Sequence, residues 1–137
     1  MMKRTIMLKV NPKKPEIEKV QAAAKIIQQG GLVAFPTETV YGLGAEALNP
    51  KAVLALFEAK KRPLDNPPIV HVENIGDIYR LAKQVTPKAD KLMRTFWPGP
   101  LTLVFKHSIE RFLCSYRLPT NSPINFFVSW RDKGIIT

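Results

Sequence analysis

The chain has 137 residues, which fits one domain able to bury a real core. Its 45% hydrophobic content argues against a disordered polypeptide, and its single cysteine, Cys114, excludes a disulfide framework within the monomer. A reducing cytoplasm is therefore the expected setting. Lysine and arginine number 21 against 11 acidic residues, a formal net charge of +10, so the expected partners are polyanions: nucleic acid, nucleotides or acidic surfaces. No apolar run approaches the roughly 18 residues needed to span a membrane, so none is expected as a partner, and the basic N-terminus lacks the apolar core of a signal peptide.

Residues 4–10 read as a strand near a sheet edge, closed by the breakers Pro12 and Pro15. A helix is expected from Glu16 to Gln29, with Ile17, Val20, Ala24 and Ile27 on one apolar face and Gly30-Gly31 as its stop. Leu32–Phe35 reads as a short buried strand. It runs into the stretch Pro36-Thr37-Glu38-Thr39-Val40-Tyr41-Gly42-Leu43-Gly44, a loop rich in hydroxyls. Asn49-Pro50 opens a second helix, with Val53, Leu56 and Phe57 facing inward, that ends at Lys60-Lys61-Arg62-Pro63. Ile69–Val72 is a strand. Asn74 caps a helix carrying Ile75, Ile78 and Leu81, and Thr86-Pro87 starts another with Ala89, Leu92, Met93 and Phe96 inside. Trp97-Pro98-Gly99-Pro100 turns sharply into the strand Leu101–Lys106. Strands alternate with helices, which gives an α/β fold with a twisted sheet. Beyond His107 no helical face emerges, and Ile124–Trp130 alone reads as a strand.

Three groups carry chemistry. Thr37, Thr39 and Tyr41 offer hydroxyls at the end of a strand, where a small polar ligand such as an amino acid would be held. Lys60-Lys61-Arg62 stands at a helix C-terminus, where the dipole alone favours cations. The same residues also suit phosphate, since lysine supplies a point charge and arginine a planar fork. Asn66 and His71 form the third group, although a lone strand histidine is more often structural. Neither a Walker-type loop, a dinucleotide fingerprint, a metal-ligand spacing nor a recognisable nucleophile is present, so no catalytic side chain is assigned. Cys114 reads as an ordinary buried thiol.

Taken together, Gly30–Gly44, Lys60-Lys61-Arg62-Pro63-Leu64-Asp65-Asn66-Pro67, His71 and Trp97-Pro98-Gly99-Pro100-Leu101-Thr102 resemble the YrdC-like family of L-threonylcarbamoyladenylate synthases, over about residues 5–107. The resemblance implies an open twisted sheet with flanking helices and a basic concave surface. It implies a reaction in which L-threonine, bicarbonate and ATP give threonylcarbamoyl-AMP and pyrophosphate, for the t6A modification of tRNA. Thr39 would contact threonine with His71 beside it, Thr37 and Tyr41 would shape the pocket, and Lys60 and Arg62 would hold the ATP phosphates. Asn66 would contact the nucleotide, Mg²⁺ would accompany the triphosphate, and the tRNA threonylcarbamoyl-transfer machinery would be a partner.

After about Lys106 the family pattern fades. Arg117-Leu118-Pro119 is a faint echo of it, and the family's later Ser-x-Asn motif has no counterpart. The expectation is a YrdC-like part over residues 1–107 and a divergent tail over 108–137, from a truncated or frame-altered product whose activity that loss puts in question. Two other readings stand beside the synthase. One is a non-catalytic module binding RNA on its basic concave face. The other is a carbamoyl-transfer domain like that of a hydrogenase-maturation protein, against which the lack of an adjoining acylphosphatase or zinc-finger region argues.

Overall fold

The structure is a computed structural model, and it describes residues 4–37, 40–66, 68–106, 113–117 and 135–136. Helix α1 spans Ile17–Gln28, and Gly30 ends it in the left-handed region at φ 81°. Val20, Ala24 and Ile27 are buried as their spacing predicts, whereas Ile17, in the first turn, is exposed. Strands β1 (Val33–Phe35) and β2 (Gly42–Glu46) follow, then α2 (Pro50–Lys60), β3 (Ile69–His71), α3 (Ile75–Leu81) and α4 (Pro87–Phe96). Strands β4 (Leu103–Lys106), β5 (Leu113–Arg117) and β6 (Ile135–Ile136) complete the described elements.

The helix starts are set by their caps. Asn49 accepts hydrogen bonds from the Lys51 and Ala52 amides, with Pro50 in the first turn of α2. Asn74 and Asp77 form a reciprocal capping box on α3, and Thr86 accepts from the Ala89 amide on α4. Between α3 and α4, Asp90 accepts from the Tyr79 hydroxyl and from Arg94 Nε, the latter at 2.8 Å. Arg94 holds the Asp90 carboxyl below its ordinary range, and the bond to Asp90 pushes the Tyr79 hydroxyl up.

The strands join in one six-stranded sheet of order β1-β2-β6-β3-β5-β4. Strands β3 and β5 pair in parallel and the other neighbours are antiparallel. Because β2 and β3 both run against β6, they run parallel to one another.

The two faces differ. Ala45, Val70 and Phe105 lie in a core with Leu56 of α2, Ile78 and Leu81 of α3, Met93 of α4, and Trp97. Among the described residues, the opposite face meets α1 at its β1–β2 side, where Phe35 packs with Val20, Ala24 and Ile27. Val104, whose neighbour Phe105 points into the main core, is exposed at the far edge of that second face. Three helices thus cover one face and one helix covers part of the other.

Three sequence expectations change. Residues 4–10 form no strand among the described residues; Met7 is 94% exposed, and the segment is held by Lys19, whose ammonium donates to the Lys9 carbonyl at 2.6 Å. Its apolar run Ile6-Met7-Leu8 allows extension, but a strand needs an edge to pair with, and this segment pairs with none of the described strands. Second, Gly42–Glu46 is a strand, although its glycines read as loop. Third, Phe96 is exposed at the end of α4. The strand expected at Ile124–Trp130 lies outside the described residues, while β5 and β6 stand where no element was read. Among the described residues no helix is long and apolar enough to cross a membrane.

Removing the α2 cap tests the local account. Asn49→Ala should cost about 1 kcal/mol, read as a melting point lower by a few degrees with the circular-dichroism spectrum unchanged.

Candidate functional site

The hydroxyl-rich stretch is the loop of an antiparallel hairpin. Phe35 of β1 faces Gly42 of β2 in register, so residues 36–41 form the connection. The Thr37 hydroxyl donates to the Val40 carbonyl across the loop, and Tyr41 is 76% exposed at its end. Gly42 is required by the packing: a Cβ there would come within 2.9 Å of the Phe35 ring and 3.5 Å of Thr37 Cγ2. Thr39, the residue expected to meet threonine, lies outside the described residues, so the loop is known through its two sides.

The cationic group is built by the end of α2. Lys60 is the last helical residue and is exposed. Lys61 takes a left-handed backbone, φ 50°, which a non-glycine residue rarely adopts. The Arg62 amide donates back to the Phe57 carbonyl at 3.0 Å, and the chain leaves the helix there. Arg62 Nε donates to the Asn66 carbonyl at 3.1 Å and Nη2 donates to Asn66 Oδ1 at 3.0 Å. The guanidinium carbon also stands 5.9 Å from the centroid of the Phe57 ring. Arg62 and Asn66 are therefore one unit, brought together by a five-residue loop.

Strand direction places these groups relative to one another. The hairpin loop precedes β2 and the Arg62–Asn66 loop precedes β3, and the two strands are parallel, so both loops sit at the same end of the sheet. The loop leaves the end of β1, as expected, and turns back into the antiparallel β2. It marks the starting ends of β2 and β3, not their C-terminal ends.

His71 is placed differently. It is the last residue of β3, only 8% exposed, and shares a register row with Ile135, Glu46 on one side and Arg117 on the other. The neighbouring row holds Ala45 and Val70, which enter the helix-covered core. Side chains alternate along a strand, so Glu46 and His71 point to the face opposite α2, α3 and α4, where both are buried. Roughly 13 Å of strand separates the Gly42 row from the Glu46–His71 row.

Glu46 was not singled out in the sequence. It is 8% exposed, and a carboxylate that deep is retained only with partners to hold it. The available signal was an acid set between Ala45 and Ala47 in a run of small residues. The Trp97–Leu101 turn is closed by Trp97 Nε1 donating to the Leu101 carbonyl at 2.7 Å, and a Cβ at Gly99 would lie 2.3 Å from the Phe96 carbonyl oxygen. Gly99 is thereby fixed by close approach.

The result is an α/β domain with a cationic loop and a hydroxyl-bearing hairpin at one end of the sheet, and a buried histidine–glutamate row across the strands. The family profile for Sua5, YciO and YrdC, described as telomere recombination, matches residues 25–128, and the chain belongs to that family. The match runs past residue 107 into the part containing β5. A Pyrococcus abyssi protein named threonylcarbamoyl-AMP synthase is 54% identical over 90 residues, covering 66% of this chain and 26% of its own length. A Bacillus subtilis protein of the same name is 51% identical over 85 residues, covering 62% of this chain and 25% of its own. The solved structure of P. abyssi Sua5 complexed with L-threonine superposes with a TM-score of 0.84 at 40% identity, over 90% of this chain and 38% of that one. The chain thus spans about a quarter of the length of the two curated relatives.

Filling the hairpin base tests this geometry. Gly42→Ala should displace the Phe35 ring and lower stability by about 1–3 kcal/mol, read as a reduced denaturation midpoint. An unchanged midpoint would show that the close approach is not there.

Proposed function

We propose that this chain binds L-threonine and ATP at the face opposite α2, α3 and α4 and, with bicarbonate, forms threonylcarbamoyl-AMP and pyrophosphate for the t6A modification of tRNA. The observation that supports it most is the paired placement of the two loops. The Arg62–Asn66 unit and the Thr37–Tyr41 hairpin share one end of the sheet, so an anionic and a hydroxyl-recognised ligand would lie side by side. The names of the relatives, and the threonine bound by the P. abyssi protein, agree with that reading.

The chemistry asks for positioning rather than for a protein nucleophile. The threonine amine attacks the carbon of bicarbonate, water leaves, and the resulting carbamate oxygen attacks the α-phosphorus of ATP as pyrophosphate departs. Such displacements are driven by alignment and by neutralisation of the phosphate charge. Lys60 and Arg62 would supply that charge, with Asn66 beside the nucleotide; Thr39 and His71 would hold threonine, and Thr37 and Tyr41 would shape its pocket. Mg²⁺ would enter with the triphosphate. Among the described residues no group of three His, Cys, Asp or Glu forms a metal cage. The partners on this reading are tRNA and the machinery that transfers the threonylcarbamoyl group, in the cytoplasm.

Two substitutions separate the halves of the site. Lys60→Ala should weaken Mg-ATP binding roughly tenfold or more while leaving threonine affinity within about twofold, and Thr39→Val should do the reverse. Isothermal titration with each ligand reads both, and unchanged ATP affinity in Lys60→Ala would refute the phosphate assignment.

A further inference from the structure

We infer that Asn66 acts on the reaction through Arg62: it is the positioning residue that holds the guanidinium in the plane presented to phosphate. This rests on the nucleotide reading given above and goes beyond it, by giving Asn66 a role distinct from contact with the nucleotide.

Arginine carries a long side chain with many rotamers, and a guanidinium left to sample them meets phosphate at an entropic cost. Here the cost is met in advance by the fold. Pro63, Leu64, Asp65 and Asn66 form a turn in which the Asn66 amide donates to the Pro63 carbonyl at 3.2 Å. That turn swings Asn66 back over Arg62. The main-chain carbonyl of Asn66 accepts from Nε at 3.1 Å and its side-chain carbonyl accepts from Nη2 at 3.0 Å. Two of the five donors of the fork are engaged along one edge, which fixes the plane of the group. The Phe57 ring, buried at the end of α2, lies near the guanidinium at 5.9 Å and limits its tilt.

Each part of the clamp has a separate origin in the chain. Lys61 in its left-handed conformation directs Arg62 out of the helix, Pro63 fixes the start of the turn, and the short side-chain carbonyl at position 66 adds the second acceptor to that of the main chain. Asn66 Oδ1 points at a cation and not at an anion, so the side-chain oxygen is spent on Arg62.

A double-mutant cycle tests this on the full 137-residue chain, with Mg-ATP as the titrant. Asn66→Ala should weaken ATP binding about tenfold, Arg62→Ala by at least as much, and the double variant by no more than Arg62→Ala alone. Threonine affinity and melting temperature should stay close to wild type in Asn66→Ala, since Asn66 is exposed and a merely structural loss would move both. Multiplying losses would overturn the inference, because Asn66 would then meet the nucleotide itself, and so would an Asn66→Ala variant of unchanged ATP affinity.

A second measurement needs no ligand. Rotation of the Arg62 guanidinium NH2 groups, read by nitrogen NMR, should be slow in wild type and fast in Asn66→Ala. Asn66→Asp, which keeps the acceptor, should restore it. Fast rotation in wild type would contradict the clamp. Slow rotation released by Asn66→Ala, together with an Arg62→Ala variant that still binds ATP, would leave the clamp standing and overturn the nucleotide reading instead.

Discussion

Alternation along two short strands decides what the molecule can do. Ala45 and Val70 occupy one register row and are buried beneath α2, α3 and α4; Glu46 and His71 occupy the next and turn to the opposite face. A slip of one residue in either strand would send a polar side chain into the apolar core and an apolar one onto the opposite face. The smallness of Ala45 and Ala52 lets α2 lie close to β2, and the end of α2 then places Lys60 and Arg62 beside the start of β3. The cationic loop is thus positioned by the same packing that separates the two faces.

Charge follows from this arrangement. A chain with a net charge of +10 has many lysines that serve only as solvated surface. Arg62 differs because its geometry is set by Asn66 and Phe57. An oriented guanidinium distinguishes a site from a basic patch, since preorganised donors neutralise developing charge without rearranging when it appears. His71 and Glu46, some distance along the strands, are held by the sheet itself, and the hairpin loop is held by Gly42 and Phe35. The three parts of the candidate site rest on rigid elements and are separated by loop ends, an arrangement suited to a ligand with chemically different ends.

The helices were legible because their signals are local. Asn49-Pro50, Asn74 and Thr86-Pro87 announced their starts, and Gly30 announced a stop. The strands were less so, since a strand depends on a partner that the local sequence does not name. Residues 4–10 carry an apolar run and yet pair with none of the described strands, while Gly42–Glu46 has poor strand propensity and is a strand because β1 and β6 flank it. At the site, Lys60, Arg62 and Asn66 were legible as a group from residue type and spacing. The bond joining two of them was not, because it depends on the left-handed turn at Lys61 and on a four-residue loop closing to 3.2 Å. Glu46 was missed since its burial comes from the sheet's register, and Thr39, central to the motif, falls outside the described residues.

The central claim is that this chain, which spans about a quarter of the P. abyssi and B. subtilis relatives, still forms a pocket for both ligands. The most direct measurement is a thermal melt of the purified protein with L-threonine, with Mg-ATP, with both and with neither. A ligand that binds only the folded state raises the melting temperature in proportion to its occupancy. The expected result is an upward shift with each ligand and a larger one with both. A transition that ignores threonine and nucleotide alike would contradict it, and would leave the chain with the family's fold but without its site.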